Sequence, residues 1–156
     1  MSKKIIIVFI LSFLLLSCGF KRTNLERSLI HLQNINVTGQ NRIGNIIKNN
    51  IILISDVNAE KKYDIAIKVT KDKKIKIKDT TGKVTRYTLN ISADLEIKNN
   101  TTQKIVKKVF NKNLDYNVTS SHTNTLTNEK NISKNLIQQL SDDLISFIIF
   151  SNDNYK

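Results

Sequence analysis

The sequence predicts a single α+β domain: one four-stranded, mostly antiparallel sheet with two helices packed on one face, in the order β-α-β-β-β-α, after a cleaved signal peptide. Three observations predict it. The stretch RYTLNISADLEIK, Arg86–Lys98, alternates apolar and polar side chains without a fault. Two other stretches repeat apolar residues at helical spacing. A chain of 156 residues with no internal repeat suits one modest domain rather than two.

The elements follow in order. Residues 21–34 are polar and read as a tether, with a helical turn over Leu25–Leu32, leading to a short strand near Asn34–Val37. Gly39 punctuates the chain. Ile43, Ile47, Ile51 and Ile54 then recur at helical spacing with Asn45, Lys48 and Asn49 turned outward, which predicts a first helix over about 40–53. Ile is a mediocre helix former, so Ile51–Ile54 also reads as a late strand. Tyr63, Ile65, Ile67 and Val69 alternate with polar residues, and the same phase resumes at Ile75 and Ile77. Lys71–Lys74 interrupt it as a bulge or an exposed extension. The stretch DTTGK supplies a turn through Gly82. In the third strand, Tyr87, Leu89, Ile91, Ala93, Leu95 and Ile97 share one face and polar residues the other, the signature of a half-buried antiparallel strand. NNTTQ forms the next hairpin, and a fourth strand runs from Ile105 to about Val118, its phase slipping between Val109 and Phe110 as a bulge would produce. A second helix over about 124–150 carries the stripe Ile132, Leu136, Leu140, Leu144 and Phe147, reinforced by Ile137 and Ile148. Gln138, Gln139 and Ser141 face outward, with Asp142 and Asp143 on the polar flank.

The N-terminal residues are not part of that fold. Ser2-Lys3-Lys4 is a cationic start, and Ile5–Leu16 is an uninterrupted apolar run. As a helix this run is roughly 18 Å long, too short to span a hydrocarbon core that needs about 20 residues. A positive start and a short apolar run read as a secretory signal. Leu15-Leu16-Ser17-Cys18 fits the bacterial lipobox, in which an aliphatic residue stands three positions before a cysteine and a small residue directly before it. The small Ser17 admits a peptidase. The sulfur of Cys18 takes a diacylglycerol, and cleavage frees an amine for an N-acyl chain. At about 0.8 kcal/mol per buried CH₂, one chain binds marginally and two or three anchor durably. The sole cysteine suits this role, since it excludes an internal disulfide and a cysteine-based zinc site. The chain divides into a signal peptide 1–17, a lipidated N-terminus and tether 18–33, the domain 34–150 and a tail 151–156. Gly19 after the cysteine, where Asp would favour inner-membrane retention, points to the outer membrane.

Chemistry-bearing motifs are scarce. His31 and His122 lie far apart in sequence, in the tether and in a loop, with no third His and no HxxxH spacing to make a metal site. Ser120-Ser121-His122 lacks a GxSxG elbow. Four glycines form neither GxGxxG nor GxxxxGK[ST]. No catalytic constellation, metal site or cofactor is expected beyond the covalent lipid on Cys18. Lys and Arg number 25 against 13 acidic residues, a net charge of +12 that favours an anionic partner, part of which reflects Lys-rich codon usage. Lys71, Lys73, Lys74, Lys76 and Lys78, with Arg86 beyond the turn, concentrate cations at one end of the sheet. They read either as a solvated face that discourages edge pairing or as a site for phosphorylated lipid. Nucleic acid is disfavoured, because an exported lipoprotein rarely meets it and stacking aromatics are not interleaved with the lysines.

The lipobox running into Cys18-Gly19-Phe20, the stretch Thr85–Ile97, FNKNLDYNVTSS at Phe110–Ser121 and the helix LIQQLSDDLISFI, in that order, resemble the LPS-assembly lipoprotein family LptE in its alphaproteobacterial form. The chain departs from that pattern at Lys21-Arg22, where this branch continues with Pro-Leu-Tyr. The resemblance implies a lipoprotein on the periplasmic side of the outer membrane that plugs the LptD β-barrel, assists its assembly and presents lipopolysaccharide to it. Lipid A phosphates would then meet the Lys71–Lys78 cluster. The alternative is an accessory lipoprotein of another envelope machine, a peptidoglycan synthase activator or a lipid-transporter auxiliary, also without enzymatic activity.

Overall fold

The structure is a computed structural model and describes residues 30–153. Cys18, the signal peptide and most of the tether lie outside the described residues. The elements are β1 (Ile30–Gly39), α1 (Asn41–Ile52), β2 (Lys61–Lys78), β3 (Val84–Asn99), β4 (Ile105–Asn117) and α2 (His122–Asp153). They form one sheet in the order β1-β2-β3-β4. β1 runs parallel to β2 and the other pairs are antiparallel, as a mostly antiparallel α+β sheet requires.

Alternation places both helices on one face. Ile65, Ile67 and Val69 of β2, Leu89 to Ile97 of β3 at every second residue, and Phe110 and Tyr116 of β4 are buried. Above them pack Ile43, Ile47 and Ile51 of α1 and Leu136, Ile137, Leu140, Leu144 and Ile148 of α2. Burying an aliphatic side chain of this size is worth about 1.5–3 kcal/mol, so this single layer dominates stability. The other face is open. Cross-strand polar pairs cover it: Thr70 and Ser92 hydroxyls lie 2.7 Å apart, Asn34 Nδ2 donates to Asp64 Oδ1 at 2.8 Å, and Lys107 Nζ stands 2.7 Å from Glu96.

Several boundaries differ from the sequence reading. β1 begins at Ile30, inside the expected tether, and carries His31. Its register against β2 shifts between Leu32 and Asn34, so the inward phase moves from Ile30 and Leu32 to Ile35 and Val37. α1 continues through Ile52 and then turns, so Ile51–Ile54 is not a strand. β2 is one strand of 18 residues, and its pairing with β3 is unbroken through Lys71–Lys74. Those lysines therefore form an extension rather than a bulge, and the register shifts come later, around Ile77. β3 and β4 pair without interruption, so the slip at Val109 is an apolar side chain left on the open face. α2 starts at His122 and takes in residues 151–153 of the expected tail. Ser141, expected outside, is fully buried; it receives a hydrogen bond from Asn50 of α1 at 3.2 Å and donates to the Ile137 carbonyl at 2.9 Å.

The topology gives the domain two unlike ends. The start of β1, the α1–β2 loop, the β3–β4 turn and the last turns of α2 share one end, where Asp56 N donates to Ile30 O and Asn100 N to Lys62 O, both at 2.9 Å. The β2–β3 turn and the first turns of both helices stand at the other.

Candidate functional site

The six cations singled out in the sequence lie at this second end, but strand alternation divides them between the faces of the sheet. Lys71 and Lys73 extend the buried phase of β2 and meet α2. Lys71 Nζ lies 3.3 Å from Glu129 Oε1 and Lys73 Nζ 2.8 Å from Oε2. Tyr116 Oη donates to the same Oε2 at 2.7 Å. Tyr87 and Tyr116, directly opposite on β3 and β4, bring their rings to 5.7 Å, and the Lys73 ammonium sits 4.3 Å from the Tyr87 centroid. Burial pushes the Glu129 carboxyl up, yet the hydrogen bonds from Lys73 and Tyr116 and the Lys73 charge outweigh it and hold the group at about 2. The bond to Glu129 raises Lys73, against the opposing effect of burial. Burial, and then the bond to Glu129, raise the Tyr116 phenol. Near neutral pH this cluster holds a carboxylate, an ammonium and a neutral phenol, an arrangement for locking α2 onto the sheet rather than for moving protons.

Lys74, Lys76 and Arg86 occupy the open face. Lys74 lies 3.5 Å from Asp72 Oδ2, both well exposed. Lys76 pairs with Asp115, which also accepts from Thr88 Oγ1 at 2.7 Å; the Lys76 hydrogen bond and then the Thr88 bond hold its carboxyl below the usual range. Arg86 Nε donates to Asn117 Oδ1 at 2.9 Å. Lys78 closes the strand beside the turn, where Asp79 Oδ1 accepts from Thr81 N and Lys83 N.

The structure gathers a further set of cations that sequence reading missed. Between the first turns of α1 and the N-terminal half of α2 runs a groove of about 470 Å³. Ile43, Ile46, Leu126 and Ile137 line it with apolar surface, and Arg42, Lys130 and Lys134 join Lys71 and Glu129 in its lining. Lys130 and Lys134 are one helical turn apart, which was the available signal; Arg42 and Glu129 arrive only through tertiary packing. His31 and His122 stand at opposite ends of the domain. Among the described residues no group of three or more His, Cys, Asp or Glu is placed to hold a metal ion.

The same architecture occurs in solved lipoproteins. Rare lipoprotein B of Shewanella oneidensis superposes with a TM-score of 0.60 at 9% identity, over 78% of this chain and 97% of its own. A putative lipoprotein of Caulobacter crescentus gives 0.58 at 11% identity, over 83% and 94%. A minor lipoprotein of Acinetobacter baumannii gives 0.55 at 11% identity, over 80% and 94%. At such identities the likeness is one of fold. No protein-family model matches the chain, and no curated protein matches it by sequence.

Proposed function

We propose that the chain is an LptE-like lipoprotein, anchored by acylated Cys18 to the periplasmic side of the outer membrane, that plugs and helps assemble an LptD-type β-barrel and contacts lipopolysaccharide without catalysing a reaction. The observation that carries this reading is the coincidence, in one chain, of a lipobox and a fold otherwise seen in lipoproteins. The open sheet face adds support. Its paired Thr, Ser, Asn and Glu–Lys side chains suit a wet barrel lumen, where an apolar face would be stranded. Cations at the hairpin end and around the helix groove suit lipid A phosphates.

Gentle detergent extraction of the tagged full-length protein, followed by mass spectrometry of what stays bound, tests the proposal. A stoichiometric outer-membrane barrel is expected. Recovery of a peptidoglycan synthase or an inner-membrane transporter in its place would move the chain to the accessory class. For the lipid contact, replacing Lys73, Lys74 and Lys76 with Glu should weaken lipopolysaccharide pull-down at moderate salt. Because Lys73 also holds Glu129, the pair Lys130→Glu and Lys134→Glu, at exposed positions, is the cleaner variant. Unchanged retention by a folded double variant would remove the groove from the lipid-binding reading.

A further inference from the structure

We infer that the end of the domain opposite the lysine arm carries a built bilayer-contact surface, in which Leu53, Val57 and Phe150 seat the protein against phospholipid headgroups and acyl boundary. The inference rests on the anchor at Cys18 for its direction and on the structure for its surface. Leu53 is 82%, Val57 74% and Phe150 63% exposed, and among the described residues the one other large apolar side chain in this range, Val109 at 67%, lies away from this end on the open face of the sheet. They are not casual loop residues. The α1–β2 loop that carries the first two is pinned: Leu32 N donates to Ser55 Oγ and Asp56 N to Ile30 O, each at 2.9 Å. Ile54 between them packs on the core. Phe150 sits one residue before Ser151, which lines a small pocket with Tyr63, Ile97 and Val106, so the end of α2 reaches the same end of the sheet. The fold thus turns Ile54 inward while presenting its neighbours, at a cost in exposed apolar surface that a contacting bilayer would remove.

The occupant follows from where the chain enters. β1 starts at this end, and Ile30 is twelve residues beyond Cys18, a span of at most about 40 Å when fully extended. A lipid anchor on that leash therefore holds this end, rather than the hairpin end, towards its membrane. Lys61, Lys62 and Lys104 stand at the same end beside Asp56 and Glu60, supplying cations at headgroup depth. Among the described residues no helix is long and apolar enough to cross a membrane, so the contact is peripheral.

Full-length lipidated protein tests this directly, since the natural cysteine is consumed by the anchor. Leu53→Cys, Val57→Cys and Phe150→Cys each place one labelling site, with Thr81→Cys at the hairpin turn as control, for an environment-sensitive fluorophore in phosphatidylethanolamine–phosphatidylglycerol vesicles. Labels at 53, 57 and 150 should shift to the blue and lose emission to a shallow doxyl-lipid quencher, while the label at 81 should lose it only to aqueous iodide. Iodide quenching at all four sites, or lipid quenching at 81 instead, overturns the inference. Labels at 53 and 57 shielded from both quenchers also overturn it, because a protein then covers the surface. Mass spectrometry of the N-terminal peptide reads the anchor separately. Acylated Cys18 without lipid quenching sinks the surface alone; unacylated Cys18 sinks the anchor, and with it the direction argued here.

Discussion

Ile67 and Ile75 belong to one strand, share one face and pair with the same neighbour, β3, yet Ile67 is 1% exposed and Ile75 53%. The difference is above them. Over Ile67 lie α1 and α2; beyond Val69 β1 has ended, and past the contacts of Lys71 and Lys73 with α2 the edge strand β2 runs on as an uncovered arm beside β3, which still pairs with β4. Alternation therefore states which face a residue joins, and only the reach of the helices states whether that face is a core. The transition is occupied by Lys71 and Lys73, whose stems run along the apolar phase while their charges end on Glu129. The arm is also where an anionic ligand has access, so the same change of cover that ends the core opens the candidate site.

The largest expected effect tests that contrast. Ile67→Ala should cost about 2–5 kcal/mol in denaturant unfolding, because the helices above cannot collapse into the gap. Ile75→Ala should cost less than about 1 kcal/mol. Equal costs would mean that something covers the arm in solution. Two glycines make the next comparison. Gly39 and Gly82 have φ of +89° and +85°, but a Cβ on Gly39 would lie 2.1 Å from the Val69 carbonyl oxygen, whereas one on Gly82 meets nothing within 4 Å. Gly39→Ala should therefore cost about 2–4 kcal/mol and Gly82→Ala about 1 kcal/mol, the latter being the left-handed backbone alone.

Third comes the Glu129 cluster at the boundary between core and arm. Glu129→Gln should cost about 1–3 kcal/mol at neutral pH, the range for hydrogen bonds to charged groups. Its carboxyl lies at about 2 when folded against an ordinary 4.5. A depressed folded value contributes stability that is present above about 4.5 and is lost as pH falls towards 2. Wild-type stability should thus drop towards that of Glu129→Gln across this window, and the difference curve isolates the group from Asp115, which is depressed as well. A difference that stays flat from pH 6 to 2 would sink the assignment.

What the sequence disclosed follows the same division. β3 was legible residue by residue because one of its faces is buried and the other wet along most of its length. The helix stripes of α1 and α2 were legible because their periods are local. β1 was cut short because its bulge at Gln33 moves the apolar phase from Ile30 and Leu32 to Ile35 and Val37, which breaks the pattern a reader follows. Lys71–Lys74 read as an interruption because side chains were the only cue, whereas the backbone ladder to β3 continues regardless of them. The site was less legible still. Lysines were visible as a run, but Glu129 lies 56 residues from Lys73 in sequence and Ser141 lies 91 from Asn50, and no local pattern announces contacts of that separation. The division of the lysines between two faces could have been read from their alternate spacing; their partners could not.

The smallest effect makes the finest test of that division, since it concerns neighbours in sequence. Lys73 and Lys74 are adjacent, carry the same charge and were one cluster in the sequence. Lys74 faces open solvent, 3.5 Å from Asp72, with the two side chains 75% and 54% exposed. Water screens such a pair and the entropy of holding it offsets most of the attraction, so Lys74→Ala should change stability by less than about 0.5 kcal/mol. Lys73→Ala removes a 2.8 Å bond to a half-buried carboxylate and the ammonium over the Tyr87 ring, and should cost about 1–2 kcal/mol more. Raising salt should erase the little that Lys74 contributes and leave most of the Lys73 effect, because a partly buried pair is poorly screened. If both variants unfold alike at every salt concentration, the two faces of the arm are equivalent in solution, and α2 does not hold Lys73 as the structure places it.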